Sequence, residues 1–243
     1  MSARLRLKDI IIYEDQDVFA INKPAHISSL HERFDSEIPS IVQLVKSENE
    51  AYSLCHRLDR ETSGVMLVAK NQEAYKNIAL QFEKRTVVKT YHAVVSAAVN
   101  LQNLIVDLPL YTDSKRRVQI SRKDGKPSVT EFNTIKLFKH FTLLSCHPFT
   151  GRLHQIRIHA ASQNLPLVCD ELYGGKVPVL GDIKRKIKSG AEDASKPLMT
   201  RVALHAFSIS FNSPDKGPVT IEAPYPKDFD VLLKLLNKYD SQD

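Results

Sequence analysis

Runs of apolar residues predict strands in the first part of the chain. Two such runs, at 10–13 and 18–21, flank an acidic turn at 14–17, which is typical of a β-hairpin. The run Val65 to Ala69 is apolar throughout and indicates a fully buried strand. Residues 87–95 are mostly β-branched or aromatic, so they predict a further strand.

A four-residue spacing of apolar positions predicts helices. Ala74, Ile78 and Phe82 recur at this spacing behind Asn71, a good N-cap, so 72–84 is predicted to be an amphipathic helix. Residues 153–163 are compatible with a strand at first, but their alanines and the later proline favour a helix. The remaining predicted elements are helices at 38–45 and 226–239, strands at 129–138, 141–146 and 204–211, and a hairpin or loop at 113–128.

Length and composition favour one large domain. The chain has 243 residues, 42% of them hydrophobic, which suits a single α/β or mixed domain over 1–243. Residues 176–199 lack apolar periodicity and predict a surface insertion. The three cysteines are odd in number and far apart, which favours a reducing, cytoplasmic location. No apolar run approaches the ~18 residues of a membrane span, so no membrane association is expected.

The charge balance indicates a polyanionic partner. A net charge of +6 attracts nucleic acid, although a modestly basic protein without such a partner is an equal alternative. Two segments, 115–126 and 184–188, concentrate this charge and could contact phosphates or be merely solvated loops. The candidate contacts in the first segment are Lys115, Arg116, Arg117, Arg122, Lys123 and Lys126.

The string His56 to Gly64 contains the strongest candidate for catalysis. Asp59 lies between Arg57 and Arg60, whose charges favour its ionised form. An ionised aspartate can attack an electrophilic sugar carbon or remove a proton from the sugar. The alternatives are a surface salt bridge and an aspartate that caps the following turn.

Two other segments carry polar side chains of interest. Lys89 and Tyr91 share one face of a predicted strand, where the tyrosine could stack on a base and transfer a proton, or simply place its hydroxyl in water. Arg157 could reach inward from the first turns of its helix to pair with an acid. His154 and His159 are five residues apart, on different faces of a helix or strand, so no metal site is predicted. The chain also contains no phosphate-binding glycine motif, so no nucleotide cofactor is expected.

Several of these strings together resemble the RluA-type RNA pseudouridine synthases. They are similar to the motifs of that family in the same order along nearly the whole chain. The matching segments are Tyr13-Glu14-Asp15, Asn22-Lys23-Pro24, His56 to Gly64, Lys89-Thr90-Tyr91, Thr150 to His159, Asp170 to Gly174 and Leu204-His205-Ala206. Cys169, His26 and Leu153 depart from the usual residues, which puts loop shape and substrate choice in doubt rather than chemistry.

The resemblance implies an α+β fold and a cofactor-free reaction. The fold would be a mixed, largely antiparallel central sheet in two abutting halves, with flanking helices and loops. The reaction would convert uridine in RNA to pseudouridine, with Asp59 as the catalytic carboxylate. Arg157 would pair with Asp59, and Tyr91 would stack on the uracil and remove its C5 proton. Arg57 would fill the space left by the flipped base, whose flipping costs energy.

The resemblance also implies the partner. Leu204 would line the uracil pocket, and Lys89 and Arg152 would join the basic loop in contacting RNA. The protein would be a monomer that acts on a stem-loop of ribosomal or transfer RNA, with no metal, no nucleotide cofactor and no N-terminal S4 domain. The rival interpretations are a non-catalytic RNA-binding or chaperone protein on the same fold and a metal-dependent nuclease.

Overall fold

The computed structural model describes residues 5–31, 40–184 and 195–242. Their helices and strands are β1 Ile11–Glu14, β2 Val18–Lys23, α1 Ile41–Glu48, β3 Ser53–Leu54, β4 Ser63–Ala69, α2 Gln72–Glu83, β5 Val88–Val95, β6 Leu104–Asp107, β7 Leu110–Thr112, β8 Val118–Ile120, β9 Val129–Leu137, β10 Thr142–Pro148, α3 Gln155–Ser162, α4 Leu180–Ile183, β11 Leu204–Ser213, β12 Gly217–Glu222 and α5 Lys227–Tyr239. The chain forms two compact units. The first comprises the described residues of Met1–Lys89 and Ala206–Pro224, and the second those of Thr90–His205 and Tyr225–Asp243.

The first unit is built around strand β4. Every residue of β4 is buried, which accounts for its uniformly apolar sequence. β2 pairs with β4 antiparallel and places Lys23 opposite Gly64. β1 pairs with β2, and the short strand β3 pairs with β4. Helix α2 packs against β4 and begins where Asn71 accepts a hydrogen bond from the Ala74 amide at 2.8 Å.

The second unit contains a four-stranded antiparallel arrangement in the order β5, β10, β9 and β6. Side chains of these strands alternate between two apolar clusters. One cluster contains Leu144, Cys146 and Ile156 of helix α3. The other contains Leu143 and the apolar face of α5, with Phe229 among its buried residues. β7 and β8 form a separate two-stranded hairpin.

The structure confirms the predicted fold class. Strands paired within each unit are antiparallel, and the predicted helices at 72–84, 153–163 and 226–239 are present as α2, α3 and α5. Helix α1 starts at Ile41 after a Ser40 capping box, and residues 38–39 of the predicted helix lie outside the described residues. Within 176–199, residues 185–194 also lie outside them. Among the residues that the structure describes, no helix is long and apolar enough to cross a membrane.

Gly64 lies where the loop that carries Asp59 enters strand β4. Its φ is +118°, and a Cβ there would lie 2.2 Å from the Ala206 carbonyl oxygen. We expect Gly64→Ala to lower the free energy of unfolding by about 2–5 kcal/mol, because overpacking adds to backbone strain. Thermal or denaturant unfolding measures the loss.

The matched control is Gly217→Ala in the same unit. Gly217 also has a positive φ, +74°, but no described atom lies within 4 Å of a Cβ built there. In this variant the free energy of unfolding should fall by only about 1–2 kcal/mol, the cost of the backbone strain alone. Equal losses for the two variants would show that the close approach at Gly64 is unimportant.

Candidate active site

Ser29 anchors the Asp59 turn, residues 59–62, within the first unit. The Thr62 amide donates to the Asp59 carbonyl at 3.1 Å and closes the turn. The buried Ser29 hydroxyl donates to the Leu58 carbonyl at 2.7 Å and accepts from the Leu58 amide at 3.0 Å. Leu58 itself is buried, so the residue before Asp59 has a fixed backbone and Asp59 is left half-buried.

Lys23 fixes the other end of this turn. Its side chain is fully buried at the end of β2. The ammonium donates to the carbonyls of Pro24 at 2.7 Å, Ile27 at 2.8 Å and Arg60 at 3.3 Å. A buried charge of this kind must be hydrogen-bonded, and three converging carbonyls meet that requirement. The residue after Asp59 is therefore tied to the loop that follows β2.

His56 anchors the start of the loop as a neutral ring. Its Nε2 accepts a hydrogen bond from the Leu67 amide at 3.0 Å, and the ring lies 5.1 Å from that of Phe82. Burial and the positive charge of Lys89 lower the pKa of His56 to about 3, so the ring stays an acceptor at neutral pH. Arg57, the next residue, is exposed.

The second unit groups three of its candidate residues. Tyr91 and Leu204 pack on the same apolar cluster, which also includes Ile156 of α3. Tyr91 lies on β5 opposite Cys146 and is half-buried, whereas Leu204 is buried. Arg157 follows Ile156 in the first turns of α3, as predicted.

Arg157 forms a buried ion pair with Asp170. Its Nε and Nη2 each donate to one carboxylate oxygen at 2.7 Å, and the Asp170 side chain is fully buried. The Tyr173 ring lies against the guanidinium, 5.2 Å from its carbon, and the Tyr173 hydroxyl contacts His154 Nδ1 at 3.0 Å. The acid that Arg157 contacts in the structure is therefore Asp170. The pairing of Arg157 with Asp59 remains a prediction.

The turn that presents Asp170 has a constrained backbone. Cys169 has a φ of +62°, and the Asp170 carbonyl accepts from the amides of Tyr173 at 3.0 Å and Gly175 at 2.8 Å. A Cβ on Gly175 would lie 2.0 Å from the Leu167 carbonyl oxygen. Asp170 lies in one of the motifs that resemble the family, but the sequence alone assigns it no role. Its pairing with Arg157 is visible only in the fold.

The two histidines of this segment have separate partners. His159 is fully buried, with Nδ1 2.9 Å from the Thr130 hydroxyl and Nε2 3.0 Å from the Leu108 carbonyl. His154 instead contacts Tyr173. Among residues 5–31, 40–184 and 195–242, no three histidine, cysteine or acidic side chains are grouped so that they could bind a metal ion.

The basic hairpin, residues 110–126, is a structured element. Arg117 pairs with Asp113 at 2.7 Å across the turn between β7 and β8. Leu110 and Val118 of the hairpin pack on Ile158 of α3, so the hairpin is attached to the helix that carries Arg157. Its exposed cations are those predicted from the sequence: Lys115, Arg116, Arg117, Arg122, Lys123 and Lys126. Arg152 lies nearby and donates to the Pro127 carbonyl at 3.3 Å.

Comparison with known proteins identifies the family of the chain. Residues 17–162 match the family model described as RNA pseudouridylate synthase. Ribosomal large subunit pseudouridine synthase D of Neisseria meningitidis serogroup B is 33% identical over 239 residues, which cover 93% of this chain and 60% of that protein. Synthase C of Vibrio vulnificus is 33% identical over 233 residues, covering 95% and 70%. The chain thus spans 60% of the length of the Neisseria relative.

A solved structure supports the fold. Human RNA pseudouridylate synthase domain containing 4 superposes with a TM-score of 0.74 at 23% identity, covering 95% of this chain and 94% of that one. The chain therefore belongs to the RNA pseudouridylate synthase family, as its RluA-type motifs predicted.

The buried pair offers a direct test of how Arg157 is positioned. We expect Asp170→Asn to lower the free energy of unfolding by about 3–5 kcal/mol, because it leaves a buried guanidinium without its counter-charge. The control is Glu171→Gln, which removes the adjacent but exposed carboxylate and should change stability by less than about 0.5 kcal/mol. Equal, small losses in chemical denaturation would contradict the assigned role of Asp170.

Proposed function

We propose that this protein is an RNA pseudouridine synthase that isomerises specific uridines of structured RNA. The observation that carries the proposal is the anchoring of the Asp59 turn on both sides of the carboxylate. Ser29 hydrogen-bonds to Leu58 before it, and the buried Lys23 hydrogen-bonds to Arg60 after it. Such attachment holds a reactive group in one geometry, as catalysis requires. Membership of the family supports the same reaction.

The proposed reaction rearranges one glycosidic bond. The C1′–N1 bond breaks, the uracil rotates, C5 bonds to C1′, and the C5 proton leaves while N1 gains one. Asp59 either attacks C1′ or removes the C2′ proton, and both routes need its ionised form. Tyr91 would stack on the uracil and accept the C5 proton, with Leu204 lining the pocket. Arg157 would orient Asp59.

The proposed partner is RNA, bound by a monomer in the cytoplasm without metal or cofactor. The basic hairpin and Arg152 would contact phosphates, because exposed arginine and lysine side chains supply most nucleic-acid affinity. Arg57 would occupy the space left by the flipped base. The relatives are named for the large ribosomal subunit, so large-subunit ribosomal RNA is the first substrate to test and transfer RNA the second.

Replacement of Asp59 separates this function from simple RNA binding. We expect Asp59→Ala to abolish pseudouridine formation and to leave RNA affinity within about threefold, since the carboxylate acts on the sugar and is not needed for phosphate contacts. Pseudouridine mapping of RNA treated with the purified variant measures the first, and a filter-binding titration the second. Glu61→Gln, two residues along the same loop, is the control and should stay active.

Two outcomes would contradict the proposal. Continued turnover by Asp59→Ala would remove this residue from the mechanism. Tight RNA binding by the wild-type protein with no pseudouridine formed would favour the alternative, a non-catalytic RNA-binding protein on the same fold.

The hairpin's role is tested by salt dependence. We expect Arg116→Ala and Lys123→Ala each to weaken RNA binding and, measured on single-stranded RNA, to reduce the log–log salt slope by about 0.7, because one phosphate contact is lost. Both side chains are exposed. Arg6→Ala is the control, since Arg6 is also exposed and already pairs with Asp9 at 2.9 Å. A slope that matches this control would show that the hairpin does not touch RNA.

A further inference from the structure

A buried arginine precedes the predicted wall of the uracil pocket in the second unit. The side chain of Arg201 is fully buried, three residues before Leu204. Its Nε and Nη2 donate to the two carboxylate oxygens of Asp228, at 2.6 and 3.0 Å. Asp228 lies in the first turn of helix α5. The arginine therefore ties the segment that enters β11 to the start of this helix.

The third nitrogen of this guanidinium holds the backbone at Leu204 itself. Nη1 donates to the carbonyls of Val202 at 3.1 Å and of Leu204 at 3.3 Å. The Leu204 amide bonds back to the Val202 carbonyl at 2.8 Å and closes a tight three-residue turn. A guanidinium presents its donors in a rigid, planar fork, so the carboxylate on one side fixes the carbonyls on the other. The position of Leu204 thus depends on where Asp228 holds Arg201.

The same turn is bound to the two other segments of the second unit that carry proposed site residues or their partners. The Val94 amide donates to the Ala203 carbonyl at 3.1 Å, Ala203 to Val168 at 2.9 Å, and Val168 back to Val94 at 2.8 Å. Val94 belongs to β5, which also carries Tyr91. Val168 lies two residues before the buried Asp170. A displacement of the turn would therefore disturb both neighbours.

Stability alone is a poor reason for an ion pair at this place. Apolar side chains of similar size would stabilise the core at least as well, because desolvation offsets the attraction of buried charges. A need to hold one backbone segment in one geometry explains the rigid fork better. We propose that Arg201 and Asp228 are positioning residues that hold Leu204 against the uracil during the reaction. This inference rests on the proposed function and deepens it, because it gives α5, which carries none of the proposed site residues, a role in the reaction.

Asp228→Asn tests the proposal, because the amide keeps the shape of the side chain and loses its charge. We expect the single-turnover rate of pseudouridine formation, with enzyme in saturating excess over RNA, to fall roughly tenfold, since a small misplacement slows the chemical step. RNA affinity should change by less than about twofold, because the proposed phosphate contacts lie on the hairpin. Only protein that has bound RNA contributes to this rate, so a smaller folded fraction alone leaves it unaltered. Asp228→Glu, which keeps the charge, should recover most of the rate.

The matched control is Asp230→Asn, in the same first turn of α5. The side chains of Asp228 and Asp230 are both 41% exposed, and each pairs with a cation at 2.6 Å. The partner of Asp230 is the exposed Lys234 instead of a buried arginine, so this variant should react at the wild-type rate. Equal rates for the two variants would overturn the proposal. If the wild-type protein forms no pseudouridine, the proposed function fails as well.

A double-mutant cycle shows whether the pair acts through Leu204. In a Leu204→Ala background, Asp228→Asn should lower the rate further by less than about twofold, because substitutions that act on one contact are not additive. A further loss of roughly tenfold in that background would contradict the assigned route. Should Asp228→Asn fail to fold, Arg201→Lys, which keeps the buried charge without the fork, is judged by the same rate and the same cycle.

Discussion

The buried ammonium of Lys23 is the interaction on which the Asp59 turn depends. A fully buried charge is tolerated only when polar groups surround it, so the carbonyls of Pro24, Ile27 and Arg60 must converge on one point. This convergence ties the end of β2 to the residue after Asp59. The register that sets Lys23 opposite Gly64 then places the turn directly before β4. The position of one carboxylate thus follows from where one lysine is buried.

The second unit positions Arg157 by the same principle with a different partner. Asp170 supplies a full counter-charge, and a constrained turn supplies its location. Buried ion pairs contribute little net stability compared with apolar side chains of similar size, because desolvation offsets their attraction. Their clearest effect is to exclude other side-chain positions. The buried side chains of Lys23 and Arg157 therefore serve to fix the positions of neighbouring groups. The proposed reaction needs such a fixed carboxylate and a fixed guanidinium.

Local patterns predicted most helices and strands, but few of the contacts that define the site. Asn71 and the four-residue spacing after it located α2 closely, since capping and amphipathic burial are encoded within a dozen residues. The Arg157–Asp170 pair and the Lys23–Arg60 contact join residues 13 and 37 positions apart, and no periodicity reports such distances. Strand β12 was also missed, because it alternates exposed and half-buried residues except at Ile221. The motif resemblance supplied the candidates, and the fold supplied their partners.

The net charge of +6 includes two kinds of cation that differ in what they can offer RNA. Lys23, Arg157 and Arg201 have buried side chains that bind protein groups, the last of them pairing with Asp228 at 2.6 Å. Such buried charges cannot neutralise RNA phosphates, so they displace no counterions from RNA and add nothing to the salt dependence of binding. Exposed hairpin cations can neutralise phosphates and so displace the counterions condensed on RNA. A count of exposed cations, rather than net charge, is therefore the quantity that should scale with the number of phosphates bound.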